Sequence, residues 1–223
     1  MRDEKALWKE MDRFTLGSPA LVCRWRLASR ALPLENRHLR ALGQRVVNGG
    51  LVPTELVAWA KQHIEWTLSE GAAEHPDGVL MLILDGEGRA AMTVGPYEPL
   101  ALRTPSALAD RARAASVEAE DTGVAPESLW LVREEGLIWG IGADERPSGA
   151  ATLMADLART VGFAVERRAG LAEALLAGEV SYDEALLVSD EHGIVPASGR
   201  AQPRAERFAE GYAKLLSSMG KRR

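Results

Sequence analysis

The chain has 223 residues and a single cysteine, Cys23, so no internal disulfide forms and a reducing compartment is expected. Lysine is nearly as scarce. Lys5, Lys9, Lys61, Lys214 and Lys221 stand against twenty-two arginines, which leaves few candidates for chemistry that depends on an amine. No apolar run approaches the ~18 residues of a membrane-spanning helix. The longest, Val79 to Leu84, has the length of a strand. The opening Met1-Arg2-Asp3-Glu4-Lys5 is charged and does not resemble a signal core. These absences predict a soluble cytoplasmic protein without membrane attachment. What is present suits a globular chain: 46% hydrophobic and 26% charged residues exclude a mostly disordered one. A chain of this length builds a core without a disulfide or metal staple, as one large domain or two small ones.

The net charge of −5 conceals an uneven distribution. Residues 1–50 hold ten basic and five acidic side chains, residues 51–200 hold eleven and twenty-five, and the last 23 residues carry a balance of +4. A nucleic-acid binder presents a basic stripe on a basic domain. The acidic middle of this chain argues against that class.

Residues 4–13 read as a short helical opening. Leu21 to Ala28 alternates, with Leu21, Cys23, Trp25 and Leu27 on one face and Val22, Arg24 and Arg26 on the other, which predicts a half-buried strand. Leu34, His38, Leu39, Leu42 and Val46 have helical spacing over 34–46, and Asn48-Gly49-Gly50 stops that helix. A second helix opens at Pro53 or Thr54 and runs to Gly71. Val79–Leu84 and Arg89–Val94 flank the turn Asp85-Gly86-Glu87-Gly88 as a hairpin. Gly95-Pro96-Tyr97-Glu98-Pro99 reads as a linker, which places a small α/β lobe over 1–98 and a larger strand-rich lobe over 104–223. The second lobe holds a helix over 106–119, a hairpin of 128–132 with 137–141, and a helix from Gly149 to Thr160 capped by Ser148. There follow a strand over 163–167, a short helix over 171–176, strands over 184–189 and 194–197, and a final helix from Pro203. The class is α+β, mixed α/β, in two lobes. Segments 79–84 and 184–188 are the most apolar and are expected to be almost fully buried.

Specific residues then carry a resemblance. Glu184 to Pro196, Glu-Ala-Leu-Leu-Val-Ser-Asp-Glu-His-Gly-Ile-Val-Pro, resembles a signature stretch of the class IV aminotransferases, the family of branched-chain and D-amino-acid aminotransferases and 4-amino-4-deoxychorismate lyase. Leu157 to Glu166 is similar to the helix-to-strand segment that precedes it, Pro147 to Ala151 lies at the Pro-Gly-Ile-Thr-Arg position, and Ser128 to Val132 matches the Asn-Val-Phe-Leu-Val strand. In the first lobe, Glu35 to Leu42 resembles the Glu-x-His-Leu-x-Arg-Leu helix, and Asp12-Arg13 sits at a familiar Asp-Arg pair. The resemblance is collinear over nearly the whole chain. It implies a two-lobed fold, a homodimer, and chemistry based on pyridoxal phosphate held by a lysine as a Schiff base.

The anchors for that cofactor are missing. The resemblance places the lysine near residues 103–115, a region about twenty residues short of the family's, and no lysine lies there. The phosphate-binding arginine falls on Ala41, the two phosphate threonines fall on Ala150 and Asp190, and the glutamate facing the pyridine nitrogen falls near Gly123. A degraded cofactor site is expected. The chain then binds a small anion, runs a cofactor-free reaction or serves a partner through the interlobe cleft. The alternative is an active pyridoxal-phosphate transaminase or aminodeoxychorismate-type lyase.

The candidate ligand-binding residues are Arg24, Arg26, His38, Arg40, Ser148, Gly149, Ser189 and Asp190. Arg24 and Arg26, at i and i+2 on a strand, point to one side and can clamp a carboxylate or phosphate. The competing reading is a solvated strand face. His38 lies on the helix that the family aims at the phosphate, or is a buried structural histidine. Asp190, Glu191 and His192 form a cation site or a solvated turn. No other spacing suggests a metal, and none is assigned. Cys23 reads as a small core residue.

Overall fold

The computed structural model describes residues 15–220. The expected opening helix over 4–13, the Asp12-Arg13 pair and the Lys221-Arg222-Arg223 tail lie outside the described residues. The structure is α+β in two lobes, each built on its own antiparallel-rich sheet.

In the first lobe β1 (Pro19–Arg26) turns Leu21, Cys23 and Trp25 inward, as its alternation dictates. It pairs antiparallel with β4 (Val79–Asp85), from Leu21 opposite Leu84 to Arg26 opposite Val79, and β4 pairs with β5 (Ala90–Gly95), in the order β1-β4-β5. Between β1 and β4 run α1 (Glu35–Leu42), the two-residue strands β2 (Val46–Val47) and β3 (Gly50–Leu51), and α2 (Thr54–Gly71). Ala60, Ile64 and Leu68 of α2 and Leu39 and Leu42 of α1 bury against Leu80, Leu82 and Leu84. Met81 and Ile83, on the opposite face of β4, are only half-buried, so segment 79–84 is less enclosed than its composition suggests. The helix expected over 34–46 ends at Leu42. Asn48 and Gly49 both adopt positive φ (53° and 76°), the conformation of a tight hairpin turn, so β-branched Val46 and Val47 join a hairpin instead of prolonging the helix.

The second lobe opens with α3 (Pro105–Thr122). Thr104 caps it by accepting from the Ala107 amide at 3.2 Å, Pro105 occupies its first turn, and left-handed Gly123 ends it. There follow β6 (Glu127–Arg133), β7 (Gly136–Gly140), α4 (Gly149–Thr160), β8 (Val165–Arg168), α5 (Leu171–Leu176), β9 (Glu184–Ser189), β10 (Gly193–Pro196) and α6 (Pro203–Gly220). The sheet order is β10-β9-β6-β7-β8, with only β7 and β8 parallel, joined by the α4 crossover. Ser148 caps α4 by accepting from the Ala151 amide at 3.2 Å. At the other end the Phe163 amide donates to Ala158 and Gly162 takes φ 84°, a Schellman closure. That closure takes up Phe163, so β8 starts at Val165 and not at the 163 expected.

Helices cover both faces of this sheet. Trp130, Val132, Leu186 and Val188 face Met154 of α4 and Phe208 and Tyr212 of α6. Leu129, Leu131, Ala185 and Leu187 face Leu108 and Ala112 of α3 and Leu171 of α5. β9 is therefore buried along its whole length. Trp130 stacks on Trp139 across the β6–β7 pair at 4.7 Å, and its indole N–H donates to Ser128 Oγ at 3.0 Å. Glu184 at the head of β9 accepts from the amides of Arg204 (2.9 Å) and Ala205 (2.8 Å), so a buried carboxylate caps α6. No helix among the described residues is long and apolar enough to cross a membrane.

The two cores respond to truncation as close-packed interiors do. Leu82→Ala and Leu186→Ala each remove a fully buried side chain, and each is expected to lower unfolding free energy by about 2–5 kcal/mol in urea titrations monitored by tryptophan fluorescence.

Candidate functional site

The lobes meet where the end of β1 touches the turn between β9 and β10. The Arg26 amide donates to the Asp190 carbonyl at 3.1 Å, and the Asp190 amide donates to the Pro126 carbonyl at 3.1 Å. The Asp190 backbone is thereby pinned to both lobes. Its side chain, 4% exposed, turns to the first turn of α4 and accepts from the Ala150 amide at 2.8 Å through Oδ1. Its Oδ2 lies 3.6 Å from Nδ1 of His38, just beyond hydrogen-bond length. His38 is buried on α1, stacks on Trp25 at 5.2 Å, and its Nδ1 has no hydrogen-bond partner. Gly149 permits this approach, because a Cβ there would stand 2.6 Å from the same Nδ1.

Burial alone raises the Asp190 carboxyl pKa. The His38 charge and contact, the Ala150 amide and the Arg45 charge outweigh it, and the net shift is downward. Asp190 is an ionised carboxylate at neutral pH. Arg45, 3% exposed, runs between the lobes to Glu118 Oε1 (3.2 Å) and Thr122 Oγ1 (3.4 Å) of α3. Arg37 bridges α1 to α4 through Thr152 (3.0 Å) and Asp156 (2.9 Å). Cys23 lies in the same interior, and burial pushes its thiol up to about 11 despite the Arg45 charge, so it is inert at neutral pH.

Beside this buried knot runs a groove of about 410 Å³, lined in part by Arg24, Arg111, Glu118, Glu127, Ser189 and Glu191. Arg111 grips Glu127 with two hydrogen bonds, 2.9 and 2.7 Å. Its Nη2 also donates to His192 Nε2 at 3.3 Å, which leaves the ring proton on Nδ1, a buried atom without a partner. Burial and the arginines Arg111 and Arg26 lower the His192 pKa against the pull of Glu191 and Glu127, and the ring is neutral at pH 7. Arg24, 56% exposed, pairs with Glu191 at 3.5 Å.

The sequence candidates are thus placed as follows. Arg24 faces the groove, whereas Arg26 lies flat over Tyr97, 3.3 Å from the ring centre, so the two guanidiniums diverge onto different partners. His38, Ser148, Gly149 and Asp190 converge at the start of α4, where the Ser148 hydroxyl is committed to its own helix. The Ser189 hydroxyl accepts from the Glu191 and His192 amides, which folds the turn. Arg40 points outward from α1 and is exposed. The solvated-turn reading of 190–192 is corrected: Asp190 is buried and the His192 ring is nearly enclosed, because the turn is wedged between α1, α4 and Tyr97. Its three side chains face Ala150, Arg24 and Arg111 and do not converge, and among the described residues no cluster suits a metal ion.

Arg45, Tyr97, Arg111 and Glu127 went unrecognised in the sequence. Tyr97 had a signal, an aromatic held between Pro96 and Pro99. The others had none, since their partners lie 16 to 81 positions away.

No protein-family model and no curated protein matches the sequence. Solved structures do match. A hypothetical aminotransferase from Mycobacterium tuberculosis in its PLP-bound form superposes with TM-score 0.65 at 15% identity, over 92% of this chain and 94% of that one. A protein assigned as a 4-amino-4-deoxychorismate lyase from Legionella pneumophila gives 0.62 at 13%, over 92% and 97%. A branched-chain amino acid aminotransferase from Thermobaculum terrenum in its PLP-form gives 0.57 at 16%, over 95% and 91%. The chain has the fold of the class IV aminotransferases.

The lowered pKa gives Asp190 a defined pH signature. Its stabilising contribution is fully present above the ordinary carboxyl value of 3.8 and is lost as pH falls through the lower folded value. Asp190→Asn, which still accepts from the Ala150 amide, is expected to show lower stability at pH 7. Its acid limb between pH 5 and pH 2 should be shallower than that of the wild type in urea titrations repeated across pH.

Proposed function

We propose that this chain is a class IV aminotransferase-like binding protein that does not carry pyridoxal phosphate as a Schiff base. Its ligand is a small molecule bearing an anionic group, taken up in the groove beside the lobe junction. The observation that carries the first half is the buried, ionised Asp190 carboxylate seated on the first turn of α4.

The residues present do not fit that cofactor. A phosphate about 4 Å from Asp190 would meet repulsion on the order of 4 kcal/mol at an effective dielectric near 20. The Ala150 amide, which a phosphate would use, is already taken. Ala41 lies one turn along α1 from His38 and offers no cation. Lys61 on α2 and Lys214 on α6 are exposed on outer helices. Arginine does not replace lysine as a nucleophile because it stays protonated.

The groove supports the second half. Its volume falls within the 300–1,000 Å³ usual for small-molecule sites. Arg111 is held rigidly by Glu127, but the Arg24–Glu191 pair is long and its arginine is exposed, and ion pairs on a solvated arginine contribute only ~0–1 kcal/mol. A ligand carboxylate or phosphate can displace Glu191 from Arg24 at little cost. The proposal includes a two-fold homodimer, the commonest oligomeric form. Light scattering should then give twice the chain mass of 24.1 kDa, and the monomer mass at micromolar concentration removes that part.

Two measurements test the main reading. After incubation with pyridoxal phosphate, borohydride reduction and digestion, no lysine is expected to carry a stoichiometric adduct. A single fully modified lysine would restore the enzyme reading. In a thermal-shift screen of small mono- and dicarboxylates and phosphate esters, hits are expected to weaken about tenfold or more in Arg24→Ala, and hits that ignore Arg24 count against the groove.

A further inference from the structure

We infer that the first turn of α4 forms an oxyanion site whose resident anion is the chain's own Asp190, and that a free small carboxylate occupies it once that side chain is shortened. This stands apart from the groove reading, since it concerns the buried side of the turn and needs no groove ligand.

The site is built from three directions. The α4 amide of Ala150 donates to Asp190 Oδ1, and a twelve-residue helix adds the positive end of its dipole. Independently, Nδ1 of His38, on a side chain 1% exposed, faces Oδ2 from α1 at 3.6 Å and has no other partner. Arg45, also buried, adds positive potential at Asp190. Cys23 and Tyr212 border the same space, and burial raises both of their pKa values, so neither brings a competing negative charge at neutral pH. Removing the Asp190 carboxylate leaves the buried Ala150 amide without its acceptor and His38 Nδ1 facing the gap, which is the condition under which a low-dielectric interior recruits a small anion.

The anion is tethered and is not a lid. Both backbone polar groups of Asp190 are committed across the lobe junction, to Arg26 and to Pro126. The carboxylate is therefore held within reach of the Ala150 amide, and an external anion in the wild type meets a tethered competitor of the same charge. Size fixes the class of replacement. Asp190→Ala removes a carboxylate and keeps Cβ, a gap that matches formate and is too small for tetrahedral phosphate.

The test uses the full-length chain in thermal unfolding at pH 7, with sodium formate against sodium chloride at equal ionic strength. Wild type, Asp190→Asn, Asp190→Ala and the double variant Asp190→Ala/His38→Phe are compared. Phenylalanine keeps a ring on Trp25 and removes the nitrogen. Formate is expected to raise the Tm of Asp190→Ala by roughly 3–5 °C beyond chloride and to leave the wild type and Asp190→Asn unmoved. In the double variant most of the formate effect should be lost. In Asp190→Ala the Ala150 amide resonance should move saturably with formate. A formate response absent from Asp190→Ala, equal in the wild type, or undiminished in the double variant overturns the inference. Asp190→Ser is read in the same way if the alanine variant does not fold, and a serine variant without a formate response is equally decisive.

Discussion

One buried carboxylate ties four elements of the lobe junction together. Asp190 closes the β9–β10 turn, caps the first turn of α4, faces His38 of α1 and takes a hydrogen bond from β1 through its carbonyl. A charge so deeply buried persists only when the surrounding donors outweigh its desolvation, and its lowered pKa says that they do. The device has a counterpart at the other end of the same strand. Glu184 opens β9 and caps α6 through the Arg204 and Ala205 amides, and Arg204 Nε closes an ion pair on it at 3.0 Å. The fully buried strand β9 is thus anchored at its head and just beyond its end by acids on helix N-termini. Slipping it by one residue would swap its buried faces and also unseat both caps.

Burial sorts the remaining charges by consequence. Arg111 and Glu127 meet in bidentate geometry against a nearly enclosed carboxylate, which fixes the floor of the groove and the orientation of His192. Arg45 carries its charge to the rim of α3, where Glu118 remains half in water. Arg24 stays largely solvated, and it holds the half-buried Glu191 only over 3.5 Å. The groove therefore has a rigid base and one adaptable cation. For the proposed anionic ligand, that arrangement exchanges one weak ion pair for another and keeps the buried charges undisturbed.

Hydrophobic patterning made most of the fold legible. The alternation of Leu21, Cys23, Trp25 and Leu27 and the continuous run at 184–189 have few structural solutions, one half-buried and one covered on both faces. Ser148 and Thr104 are helix caps in fact as in pattern, though only Ser148 was read as one. Local signals failed where two tendencies competed. Val46 and Val47 continue a helical spacing, yet Asn48-Gly49 commits them to a hairpin. The candidate site was legible only in part. His38, Ser148, Gly149 and Asp190 come together, but Arg40 sits on the far side of its helix and Arg26 is spent on Tyr97. Charged pairs have no period, so Arg45 with Glu118 and Arg111 with Glu127 are invisible until the chain is folded. The sequence also made Asp190 look like a solvated turn residue, because it shows an acid between polar neighbours and not the helix that ends against it.

The separation between fold and site has a physical basis. Sheet order, register and helix placement depend on apolar positions spread along every element, and most substitutions that keep size and polarity leave them intact. A phosphate cradle depends on a handful of amides and cations converging on one point. A carboxylate of the chain's own at such a point supplies the anion itself. Asp190 is stable at this point because the helix dipole, the Ala150 amide and the buried Arg45 charge that suit a bound anion also suit a covalently attached one, and the attached anion loses no translational freedom on binding. An internal ligand of this kind holds the two lobes together at all times, whereas a dissociable one does so only when bound. The scaffold thereby has a permanent junction at the start of α4, with the groove lined by Arg24 and Arg111 alongside it.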